Sequence, residues 1–204
     1  MRKLKLQVQM TVDGFMAGVN GEMDWVTFDW DEGLKEFVTN LTEPIDTIVL
    51  GRKLAEGFIP HWAGVAADAD NPEHSAGVKF TETPKVVFSQ TLEASTWDNT
   101  VLATGNLVDE INALKNQAGG DIIVYGGSEF VSSLIKHELI DELYLFINPV
   151  ALGRGMAIFD KLDHKQGLDL QVSKAFSCGI VLAHYRKATQ VSAVRNEDAP
   201  SQNA

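Results

Sequence analysis

Cysteine is nearly absent. Cys178 is the single one in 204 residues, which rules out an intrachain disulfide and a cysteine-held zinc site and gives no sign of an oxidising compartment. Positive charge is also short: 17 Lys and Arg stand against 28 Asp and Glu, for a formal net charge of -11. A chain without a basic excess lacks the electrostatic footprint for nucleic acid or for anionic membrane surfaces. No stretch approaches the ~18 consecutive apolar residues of a membrane helix. Arg2, Lys3 and Lys5 are followed by alternation instead of the apolar run of a secretory leader. The expectation is a cytoplasmic, soluble protein that acts on small molecules. A 45% hydrophobic content over this length is enough for one substantial core.

What is present reads as an alternation of strands and helices. Leu4, Leu6, Val8, Met10 and Val12 alternate with Lys5, Gln7, Gln9 and Thr11, the period of a half-buried strand. Asp13-Gly14 ends it, and a glycine-containing loop leads to Trp25. Leu34, Phe37, Val38 and Leu41 give one face of a helix its apolar residues before Pro44 stops it. Buried strands are expected at 47–50, 85–89, 100–103 and 121–125, with helices around Leu107 to Leu114 and Phe130 to Ile135. Three closing strands, 142–148, 168–174 and 179–186, have no helices between them. Residues 60–84, with scattered Gly, Asn and Pro, read as a long irregular connection after a short helical turn. The pattern predicts one α/β domain over residues 1–188, a mixed and mostly parallel eight-stranded sheet with helices on both faces and an antiparallel edge. After Ala188 the pattern is lost, and 189–204 reads as a disordered tail.

Two glycine turns carry the chemistry. Val124-Tyr125-Gly126-Gly127-Ser128-Glu129 is a strand end, a glycine pair and a helix start, an arrangement in which unpaired N–H groups and the positive helix end receive a phosphate. A plain tight turn is the simpler reading. Gly51-Arg52-Lys53 repeats the geometry with two cations that suit a diphosphate or a 2′-phosphate, or else form a solvated basic pair. Neither matches GxGxxG or GxxxxGK[ST], so a Rossmann dehydrogenase and a P-loop NTPase are not expected.

Taken together and in order, these motifs resemble the dihydrofolate reductase-like superfamily. Val12-Asp13-Gly14-Phe15-Met16-Ala17-Gly18 followed by Asp24-Trp25 looks like its first strand, mobile loop and tryptophan. Ile48 to Lys53, Val86-Val87-Phe88-Ser89-Gln90 and Val124 to Ser128 look like its cofactor-binding segments. Asp141 to Leu145 and Pro149 to Gly155 are closer to the reductase domain of riboflavin-biosynthesis enzymes and their uncharacterised relatives. The resemblance spans about residues 4–187. It implies a dihydrofolate reductase-like three-layer fold and NADPH, with NADH as the alternative, held by Ala17, Gly51, Arg52, Lys53, Ser89, Gln90, Gly126, Gly127, Ser128 and Glu129. It implies a small heterocyclic or carbonyl/imine substrate at Gln9, Trp25 and Phe37, and a homodimer formed through an edge strand.

Two departures stand out. Gly33 occupies the position where dihydrofolate reductases carry a buried acid. Asp29, Asp31 and Glu32 are the substitutes nearby, either as proton donors with a raised pKa in the shelter of Trp25, Phe28 or Trp30, or as ordinary helix-start acids. Glu129 sits where many relatives place a cation for the 2′-phosphate and would repel it. The reductase reading therefore competes with a non-catalytic nucleotide-binding or interaction protein that keeps the fold.

Overall fold

The computed structural model describes residues 1–188; the tail expected at 189–204 lies outside them. Strand β1 (Leu4–Thr11) is central, and the sheet is completed by β3 (Ile45–Gly51), β4 (Lys85–Phe88), β5 (Thr100–Ala103), β6 (Asp121–Val124), β7 (Glu142–Asn148), β9 (Leu168–Ala175) and β10 (Val181–Lys187). Their order is β5-β4-β3-β6-β1-β7-β10-β9. All neighbours are parallel up to β7, and β10 runs antiparallel to both β7 and β9. The eight strands and the antiparallel edge agree with the sequence pattern. The edge strand β9 carries a bulge opposite His184 and Tyr185, and it exposes Leu170 and Val172.

Helices α4 (Leu107–Asn116) and α5 (Ser128–Lys136) cover one face, burying Ile111, Val131, Leu134 and Ile135 against Leu4, Leu6, Val8, Ile122 and Val124. Helix α1 (Glu32–Thr42) packs Leu34 and Leu41 on the other face over β7 and β10, and α2 (Arg52–Ala67) lies over β3 and β6. No helix among the described residues is long and apolar enough to cross a membrane.

Residues 60–84 are not an irregular connection. Helix α2 runs for 16 residues through Pro60, and α3 (His74–Glu82) follows it. Pro60 removes one helical hydrogen bond, yet tertiary packing overrides that local cost. Ala55, Ile59 and Val65 are buried, and Phe58, Trp62, Phe80 and Tyr125 interlock with ring centroids 4.5–6.1 Å apart. The segment after β1 that resembles a mobile loop also contains order. Within it β2 (Phe15–Ala17) pairs antiparallel with β8 (Met156–Ala157) in a separate two-stranded ribbon.

Candidate active site

The carboxyl ends of β3 and β6 lie side by side, in register at Val49 and Val124. Each strand leads directly into a helix, and neither helix N terminus is capped by a side chain among the described residues. Gly51 is the N-cap of α2, and a Cβ there would stand 3.0 Å from the Cβ of Phe130 in α5. Gly126 lies beneath Met16 of β2, whose Cε would be 3.2 Å from an added Cβ. Gly127 caps α5 with φ +82, a conformation that suits glycine. Two adjacent helix ends therefore offer unpaired N–H groups beside bare backbone, which fits a diphosphate.

The charges around this cradle are partly engaged. Arg52 pairs with Glu56 at 2.5 Å, one turn along α2, and Lys53 is exposed. Glu129 pairs with Lys161 at 2.6 Å, so a cation 32 residues away in sequence offsets the anion expected to repel a phosphate. Ser128 Oγ donates to the Met156 sulfur at 3.4 Å. Ser89 is buried and its Oγ accepts from the N–H groups of Thr91 and Leu92, shaping the turn after β4, while Gln90 is exposed.

The acids before α1 lie in the arrangement of helix-start charges, one of the two readings of the sequence. Asp31 is the N-cap of α1 and accepts from the Leu34 N–H at 2.8 Å, the Ser177 hydroxyl at 2.7 Å and the Cys178 N–H at 3.1 Å. The Ser177 hydroxyl, followed by the Leu34 N–H, holds its carboxyl down at about 2, the opposite of the raised pKa a proton donor needs. Glu32 is exposed and pairs with Lys35 at 2.8 Å, and Asp29 is exposed. Phe37 belongs to the packing under α1, with Tyr144, Phe146 and Phe176 at centroid distances of 6.3–6.4 Å. Trp25 is half-buried and its indole N–H donates to the Glu22 carbonyl, closing its own loop. Ala17 is buried in β2.

A profile of the RibD C-terminal domain matches residues 2–182. The chain belongs to the RibD C-terminal domain family. It is 34% identical over 188 residues to the uncharacterized protein YyaP of Bacillus subtilis (strain 168), covering 90% of this chain and 94% of that one. Its fold is that of a putative riboflavin biosynthesis protein from Shewanella sp. PV-4, with a TM-score of 0.67 at 24% identity over 92% of this chain and 99% of the other. The same fold forms part of a Thermotoga maritima diaminohydroxyphosphoribosylaminopyrimidine deaminase/5-amino-6-(5-phosphoribosylamino)uracil reductase. There the TM-score is 0.66 at 18% identity, over 92% of this chain and 57% of that one.

In this RibD-type domain two features carry no local sequence signal. Asn148, fully buried at the end of β7, joins Gln9 of β1 to the backbone of Thr27. Asp13, after β1, accepts from the N–H groups of Leu152 and Gly153 at 3.0 and 2.6 Å. The alternation in β1 and β7 places Gln9 and Asn148 on one sheet face, but only the parallel pairing of those strands brings them together. A surface depression of about 480 Å³ lies at the opposite end of the sheet among Arg2, Lys3, Lys115, Asp141, Glu142 and Arg186. Its charges are committed to one another, so the chemistry is better sought at the carboxyl ends of the strands.

Proposed function

We propose that the protein is a cytoplasmic NADPH-dependent reductase that transfers a hydride to a small heterocyclic or conjugated carbonyl or imine compound, with a pyrimidine-like ring as the leading class. The observation that carries this reading is the pair of uncapped helix ends at Gly51 and Gly127, set on adjacent strands next to β1. Membership in the RibD C-terminal domain family supports it. The N–H groups at the starts of α2 and α5 would receive the diphosphate, and Arg52, Lys53 and Lys161 supply the local cations that favour NADPH over NADH.

When bound, NADPH supplies the hydride. The chain's own part is to hold the acceptor ring against β1 and to exclude water. Met16 and the β2–β8 ribbon cover the glycine pair, and the Trp25 loop is tied to β7 through Asn148. Asp31, ionised and committed to its cap, is not the proton source in this reading, and the proton comes from solvent at the mouth of the site. The same observation favours the competing reading, a nucleotide-binding protein without turnover.

A fluorescence titration with NADPH and NADH in parallel, repeated on Arg52→Ala, tests the assignment. NADPH is expected to quench tryptophan emission and to bind the variant roughly tenfold more weakly, the value of one charge-assisted phosphate contact. Absence of binding by either nucleotide refutes the reductase. Binding without oxidation of NADPH by any of a panel of pyrimidinones, pterins, imines and carbonyls selects the non-catalytic reading.

A further inference from the structure

The segment after β8 lies along α5 and is tied to it at one-turn intervals. Ser128 Oγ donates to the Met156 sulfur at 3.4 Å, Ser132 Oγ donates to Asp160 at 2.8 Å, and Lys136 pairs with Asp163 at 3.1 Å. Just past the helix His164 reaches Glu138 at 3.1 Å. This strap fixes where residue 161 falls along α5. Lys161 Nζ donates to the Glu129 carboxylate at 2.6 Å, to the Glu129 carbonyl at 3.2 Å and to the Ser133 hydroxyl oxygen at 3.2 Å. The Ser133 hydroxyl hydrogen goes to the Glu129 carbonyl at 2.8 Å, so the Ser133 oxygen can accept. An ammonium carries three hydrogens, and all three have acceptors here. Lys161 has no donor left over for a nucleotide and can act on one only through Glu129 or through its bare charge.

Glu129 is the second residue of α5. The first main-chain bond of that helix runs from the Val131 N–H to the Gly127 carbonyl, and the N–H groups of Ser128, Glu129 and Phe130 meet no acceptor among the described residues. A carboxylate in a first turn is drawn to such groups and to the positive helix end, where it occupies the place an incoming phosphate would take. The Glu129 carboxylate is instead turned to Lys161. With side chains 34% and 79% exposed the pair adds little to stability. Its effect is on direction: the acid nearest the glycine turn is held away from the N–H groups it would otherwise cap.

We propose that Lys161 is a positioning residue for the cofactor, drawing the Glu129 carboxylate off the start of α5 and so keeping three main-chain N–H groups open to the diphosphate. The inference rests on the reductase reading for the identity of the anion, and it adds the pair of residues that decides whether this end of the site is open or capped by the chain itself. Without Lys161 the Glu129 carboxylate turns back onto its own helix, and the nucleotide has to displace it. A lysine that acted as a bare charge would help the anion equally whether or not Glu129 was present.

A double-mutant cycle separates the two roles. Lys161→Met keeps the apolar stem against the strap and removes the three donors, and Glu129→Ala removes the carboxylate. NADPH affinity is measured by fluorescence titration on the native chain, on each single variant and on the double variant. Lys161→Met is expected to weaken NADPH about tenfold in the native background, the scale of one charge-assisted contact. In the Glu129→Ala background the same change is expected to cost less than about threefold, the mark of two residues that act as one unit. Affinity regained in the double variant also shows that the strap remains folded. Equal losses in the two backgrounds overturn the inference. The backbone amide resonances of Ser128 and Phe130, recorded by NMR without nucleotide, give a second readout. Lys161→Met is expected to move them downfield as the carboxylate takes up their hydrogens, and to leave them in place in the Glu129→Ala background. Amides that do not move in Lys161→Met overturn the inference as well. Failure of the native chain to bind NADPH refutes the reductase reading separately, and the amide resonances then decide whether Lys161 restrains Glu129.

Discussion

The carboxylate of Asp31 joins two segments 146 residues apart, starting α1 while pinning the turn between β9 and β10 through Ser177 and Cys178. Its pKa lies at about 2 against an ordinary 3.8. The depressed value means that its contribution to stability is fully present above pH 4 and is lost as pH falls toward 2. Asp31→Asn retains an acceptor for the Leu34 N–H, so its Tm should lie between those of the native chain and Asp31→Ala. Melting curves across pH should show the gap between native and Asp31→Asn closing in acid. Because the group is ionised near neutrality, Asp31→Asn should also leave the shape of any pH–rate profile unchanged. The spacing of Asp31 ahead of Leu34 reveals a helix-start acid, but nothing local announces Ser177. Partners distant in sequence turned a candidate acid into a clamp. Asn148 is silent in the sequence for a related reason: an amide gains significance only when its neighbours across the sheet are known.

Among the elements, α2 and α3 depend on one close approach. A Cβ on Gly77 would meet the backbone nitrogen of Ala66 at 2.7 Å, so Gly77→Ala has to push α3 off α2. Overpacking of this kind costs about 1–3 kcal/mol, measurable as a lower midpoint in urea. Strands β1 and β7 were legible because their alternation is strong and their partners repeat it. Helices α2 and α3 were not, because Pro60 and scattered glycines imitate a loop. The contacts that hold them are Phe58 and Trp62 of α2 against Phe80 of α3, closed by Tyr125 from the end of β6. The parallel order, by contrast, followed from the rhythm of strands and helices along the chain.

The whole molecule has two ends with different duties. At the amino ends of the parallel strands Glu142, 3% exposed, is met by Lys3 at 2.8 Å, the Tyr144 hydroxyl at 2.8 Å and Arg186 at 3.1 Å. Burial alone would push its carboxyl up, but Lys3 and Tyr144 outweigh it and hold the group at about 2. Removing the charge leaves Lys3 and Arg186, both about half exposed, free to turn to water, so Glu142→Gln should lose about 1–3 kcal/mol, the scale of charge-assisted hydrogen bonds. That difference is present above about pH 4.5, the ordinary glutamate value, and shrinks as pH falls toward 2. NADPH affinity should be unaffected, whereas Arg52→Ala at the opposite end should weaken the nucleotide and spare the midpoint. Calorimetry and titration on both variants would show this crossed pattern. The carboxyl end has a further property through the β2–β8 ribbon and the Asp13 clamp, which bind the segment after β1 to the segment after β7. Neither segment can be exchanged alone. A chimera that takes residues 13–27 from a relative must take 149–157 from the same donor, so the two segments travel together as a two-piece cassette split across most of the chain.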